Sequence, residues 1–164
     1  GRIDRKIKVR RPNREECKQI LHVYLKDSLP REHEGFNDMA EPFLDRLFTR
    51  NPQQEVLVLT MRSGGSKKMY WCDFISGAAI ENIMKRAKEK AIERAIEGEP
   101  LRIKVDDLIG ALETEFKEGS ILPSEINLED WLQLLDMESK NVVRIRKPNE
   151  SDTAAENTIR RSVI

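Results

Sequence analysis

The sequence has no G-x-x-x-x-G-K-[ST] phosphate loop, no H-E-x-x-H, no G-x-S-x-G and no paired-cysteine metal motif. None of the common self-contained sites for phosphoryl transfer, zinc hydrolysis or acyl transfer is therefore written into it. Its two histidines, His22 and His33, stand apart from each other and from any nucleophile, and they read as surface or packing groups rather than general bases. Catalysis contained within this chain is not expected; if it takes part in chemistry, it completes a site built elsewhere. The two cysteines, Cys17 and Cys72, have no metal-ligand spacing, and there is no signal peptide and no apolar run long enough to span a bilayer. The expectation is a reduced, cytoplasmic protein with no structural metal and no membrane contact. Aromatic residues make up 5%, and 29 Lys plus Arg balance 29 Asp plus Glu. No overall field draws such a chain to nucleic acid or anionic lipid.

What remains is a highly charged but well-patterned chain. Its 164 residues and 19.0 kDa suit one domain, or one domain with a small appendage. At 38% hydrophobic and 35% charged it is polar, yet it has enough periodic apolar positions to fold. A stretch that alternates toward its end, Ile3 to Arg10, reads as a strand, and because no start Met precedes it the chain is expected to be a piece of a longer protein. Pro12 stops that strand, and Asn13 with Glu16 three positions on forms a capping box. The stripe Cys17, Ile20, Leu21, Tyr24, Leu25 then predicts a helix to about Ser28, ahead of Pro30.

A second helix is expected over 38–50, with Phe43, Leu44, Leu47 and Phe48 facing inward and Pro42 near its first turn. Glu55 to Met61 is apolar on both faces, Ser63-Gly64-Gly65-Ser66 supplies a turn and Lys67 to Trp71 returns, which predicts a hairpin over about 54–72. Ser76 then caps a long helix carrying Ile80, Ile83, Met84, Ala87, Ala91 and Ala95, ended by Gly98. Leu101 to Val105 reads as a short strand, and Asp106 as the cap of a helix with Leu108, Ile109, Leu112 and Phe116 inside, ended by Gly119. Asn127 to Leu135 suggests one more helical turn, Val142 to Arg146 an edge strand, and 148–164 a polar, mobile tail. This order predicts an α+β chain: the end of a core at 1–12, helices over 13–119 with the hairpin inserted, and 120–147 completing a small sheet shared by the hairpin and the late strand, for which a β-grasp-like arrangement is one option.

Three features taken in order carry a resemblance. Gly1-Arg2-Ile3-Asp4 precedes a strand and Arg11-Pro12, a helix with Gln19-Ile20-Leu21 follows, and Ser76-Gly77-Ala78-Ala79-Ile80 later opens a helix. They resemble the end of an AAA ATPase module, where R-P-G-R-[LI]-D closes the arginine-finger region and [ST]-G-A-x-I opens the sensor-2 helix of the helical lid. Tyr24-Leu25, the hairpin with Met69-Tyr70-Trp71, Asp73-Phe74-Ile75-Ser76-Gly77-Ala78 and the later Asp130-Trp131 before a Val/Ile/Arg strand narrow the likeness to the actinobacterial proteasome-associated, ring-forming AAA ATPases. The resemblance covers about residues 1 to 147.

This resemblance implies a four-helix AAA-type lid from a homohexameric enzyme that binds ATP with Mg²⁺ and couples its hydrolysis to unfolding protein substrates. It implies that Arg2 is an arginine finger acting on a neighbouring subunit's nucleotide, and that Gly77 and Ala78 stand at the sensor-2 position beside the adenine and ribose, with Tyr24 near them. Small residues at Gly77 and Ala78 also suit plain tight packing, and Tyr24 suits a core stripe. The resemblance supplies no Mg²⁺ ligands here. Proteasome-engaging relatives end in a Gln-Tyr-Leu-type tail; this chain ends Arg160-Arg161-Ser162-Val163-Ile164, so docking to the proteasome core particle by that route is not expected. Two other functions remain open: a free-standing α+β protein-interaction domain without nucleotide, and an RNA-binding module using Arg144, Arg146 and Lys147. Neutral charge and few aromatics weigh against the last.

Overall fold

The computed structural model describes residues 10–26, 28–118, 132 and 141–148. The expected strand at Ile3 to Arg10 lies, but for Arg10, outside that range, as do Arg2, Gly119, the turn around Asn127 apart from Leu132, and the tail beyond Pro148. Helix α1 (Arg14–Tyr24) starts as its capping box requires: the Asn13 side chain accepts from the Glu16 N–H at 2.9 Å, and the Glu16 carboxylate accepts from the Asn13 N–H at 2.8 Å. It stops at Tyr24, earlier than Pro30 demands. Leu25 leaves the helical region to become a buried anchor, and Arg31 Nη1 donates to its carbonyl at 3.4 Å, so the orphan acceptor at the helix end is met without another turn.

Helix α2 (Phe36–Phe48) begins two residues earlier than expected, which puts Pro42 well inside it rather than near its first turn. Met39, Ala40, Phe43, Leu44 and Leu47 are buried, while Phe48 is partly buried against the core. A 3₁₀ turn at Pro52–Gln54 leads into β1 (Glu55–Met61), and β2 (Ser66–Tyr70) returns. Strand β3 (Val142–Arg146) pairs antiparallel with the other edge of β1, giving the order β2-β1-β3. The expected sharing of one sheet by hairpin and late strand is thus present. β1 is central, which is why Val58 and Leu59, pointing to opposite faces, are both buried.

Trp71, expected at the end of the hairpin, instead begins a one-turn helix α3 (Trp71–Phe74). Helix α4 (Gly77–Ile96) follows and is turned off by Gly98 at φ 102°, a conformation that costs glycine little. The predicted strand at Leu101 to Val105 shrinks to one parallel bridge between Ile103 and Arg31, because α5 (Val105–Lys117) starts at once. Its cap is Lys104 rather than Asp106: the Asp107 carboxylate reaches back to accept from the Lys104 N–H at 2.8 Å. Leu108, Ala111, Leu112 and Phe116 are buried, with Ile109 only partly so. The described chain is α+β, with α1, α2, α4 and α5 around one core and the sheet packed on it through Leu59 and Met69.

Candidate functional site: the tip of helix α4

The tip of α4 follows directly from its first residues. Ser76 is extended, and its Oγ accepts from the Ala79 N–H at 3.2 Å, while its carbonyl accepts from Ile80 at 3.0 Å. Capping through Ala79 leaves the Gly77 and Ala78 N–H groups pointing out of the helix end, where its dipole favours negative or hydrogen-bond-accepting groups. Among the described residues, a Cβ placed on Gly77 would meet no atom beyond its chain neighbours and its own helix backbone within 4 Å, and Ala78 is exposed. Ala79 and Ile80 are buried. Among the described residues, no side chain packs against Gly77 closely enough to require a glycine there.

Tyr24, at the last turn of α1, is brought to the same helix. Its hydroxyl lies near Glu81, one turn along α4 from Gly77, and its pKa is raised by partial burial and by that carboxylate. The two expected lid positions and Tyr24 thus lie on adjoining elements, with α1 packed on α4. Glu81, the carboxylate near Tyr24, escaped sequence reasoning; its spacing four residues after Gly77 on an exposed face is the signal that could have found it. Arg2 lies outside the described residues.

An open hollow of about 440 Å³ is lined by His33, Asn37, Asp38, Glu41 and Pro42, and none of the expected residues borders it. His22 packs edge-on against Phe36 at 4.7 Å between ring centres. Among the described residues no cluster of His, Cys, Asp and Glu could hold a metal ion, and no helix is long and apolar enough to cross a membrane. Arg144 and Arg146 are half-buried in β3 and already engaged, so they do not form the bare basic edge that RNA binding would need.

Known proteins resemble this chain closely. Residues 12–163 match the family described as ARC, AAA+ ATPase lid domain. The chain is also similar to the proteasome-associated ATPase of Beutenbergia cavernae, 36% identical over 157 residues, 89% of this chain and 28% of that protein. It is 34% identical over 157 residues to that of Streptomyces griseus, covering 89% of this chain and 27% of the relative. The proteasome-associated ATPase of Acidimicrobium ferrooxidans is 32% identical over 158 residues, again 89% and 27%. The chain spans about a quarter of the length of these relatives. A likeness of nearly its whole length leaves no room for an unrelated interaction domain: the chain belongs to the ARC AAA+ ATPase lid domain family.

Proposed function

We propose that this chain is the lid of a cytoplasmic, homohexameric ATPase that couples ATP hydrolysis to the unfolding of protein substrates. The observation that carries this reading is the bare tip of α4, where Gly77 has open space in place of a side chain and Ala78 is exposed. Two outward N–H groups and no Cβ at Gly77 suit the close approach of an adenine and ribose edge. Bound ATP with Mg²⁺ would supply the transferable phosphoryl group. The phosphate loop that grips it has no counterpart in this sequence, so the chain alone is inactive in this reading. Its own residues bind and orient: Gly77 and Ala78 admit the nucleotide's edge, and Tyr24, near Glu81, flanks it. Arg2 reaches into the neighbouring subunit and stabilises charge that develops there during transfer. Rotation of the lid relative to the nucleotide-binding core then passes the result around the ring.

Partners in this proposal are other copies of the protein and the polypeptides it unfolds. The experiment is Gly77→Val in the intact ATPase. Since a Cβ at Gly77 has open space among the described residues, the melting temperature should stay within about 2 °C of the parent, a surface-type effect. The KM for ATP should rise about tenfold or more, as loss of close backbone approach predicts. An unchanged KM with an assembled ring removes the α4 tip from the nucleotide site.

A further inference from the structure

The connection between the sheet and α4 has no slack. β2 ends at Tyr70, α3 occupies Trp71–Phe74, and Ser76 already caps α4, so Ile75 alone separates the short helix from the cap. Successive residues of this strap are held by different parts of the molecule. The Trp71 ring stacks on Phe116 of α5, 4.9 Å between centres and 7° from parallel, with the Arg46 guanidinium 5.3 Å from the indole. Phe74 and Ile75 are buried in the core. Asp73 accepts from the Tyr70 N–H at 2.8 Å and pairs with Arg50 at 3.1 Å. Arg50 also lies 5.3 Å from the Tyr70 ring. A single cation from the segment after α2 therefore grips the end of β2 and the start of α3 together.

We propose that the strap from Tyr70 to Ile75, clamped by Arg50, is the mechanical link through which a displacement of the inserted sheet reaches the α4 tip. Close-packed side chains joined by directional bonds pass on a shift instead of absorbing it. The first groups to feel it are the two amides that depend on Ser76, those of Ala79 and Ile80. What this does to a nucleotide rests on the reading of the α4 tip above; the link itself does not.

Hydrogen exchange on the chain carrying Arg50→Ala tests it. The Arg50 side chain is 57% exposed, so its truncation leaves the core in place. The expected result is exchange of the Ala79 and Ile80 amides about fivefold faster, by local opening, with the amides from Ile83 to Ala91 unchanged. Asp73→Asn, which keeps an acceptor for the Tyr70 N–H but loses the ion pair, should do the same. Unaltered exchange at Ala79 and Ile80 in both variants overturns the proposal, and so does equal acceleration along all of α4, which is general destabilisation. If Ala79 and Ile80 alone respond while Gly77→Val leaves the ATP KM unchanged, the link stands and the nucleotide reading falls.

Discussion

Burial pushes the Cys17 thiol up to about 12, with the Glu16 carboxylate and nearby Cys72 adding to the effect. Cys72 is raised as well, by burial first and then by its neighbour Asp73. The thiolate is the reactive form, so both cysteines should resist alkylation at pH 8 in the folded protein and react within minutes once urea unfolds it. Fast labelling without denaturant, read by mass spectrometry, would contradict the burial of these two side chains. Single positions elsewhere show how far residue type alone carries. Asn13 and Ser76 cap as their chemistry suggests, because a short oxygen-bearing side chain can reach the N–H groups two or three residues on. At α5 the same logic picks the wrong carboxylate. The carboxylate that reaches back to the cap residue Lys104 is that of Asp107, not Asp106, and its second task, a two-point ion pair with Arg94 of α4, comes from the fold.

At the level of elements, α1 depends on its start. Asn13→Ala removes the acceptor for the Glu16 N–H and should cost about 1 kcal/mol, the usual worth of such a cap. Chemical denaturation would read it as a lower midpoint with unchanged slope; a shift below about 0.3 kcal/mol would mean that packing alone holds this end. Four main helices, the hairpin and the late strand were legible as periodic apolar patterns, since burial of one face is what those patterns encode. Ends were less so. α1 stops at Tyr24 because Leu25 finds a buried site and Arg31 satisfies its carbonyl. Ile103 makes one bridge to Arg31, with Ile103 donating to Pro30 at 3.0 Å and accepting from Glu32 at 2.8 Å, and such a partner distant in sequence leaves no local trace. Trp71 continues the hairpin's apolar run but stacks on Phe116, which only the approach of α5 makes possible.

Across the whole molecule, ion pairs tie helices that the core brings together. Glu41 of α2 takes Lys18 and Arg14 of α1 at 2.6 Å each, and Glu113 of α5 takes Arg46 of α2 at 2.8 Å. Hydrogen bonds from these cations hold the Glu41 and Glu113 carboxyls below their ordinary value of 4.5, and Lys104 does so for Glu99. A carboxyl lowered on folding contributes stability that is complete above its unfolded value and fades as the pH falls through its folded one. The urea midpoint should therefore be level from pH 7 to about 5 and fall progressively below about 4.5, less steeply at high salt because these pairs are near the surface. A midpoint unchanged at pH 3 would deny these pairs any part in stability.

From residue order alone came the α+β class, the caps of α1 and α4, the strand β1 and the small-residue opening at Gly77 and Ala78, because each is set by neighbours within a few positions. Whether that opening was packed or bare was not local. It turned on which elements come near the α4 tip: α1 brings Tyr24 beside Glu81, while among the described residues no atom from another element approaches within 4 Å of where a Gly77 side chain would begin. The same applies to the Arg50 clamp and the Arg94–Asp107 pair. Contacts between residues far apart in sequence exist only once the chain has closed on itself, so tertiary structure alone decided them.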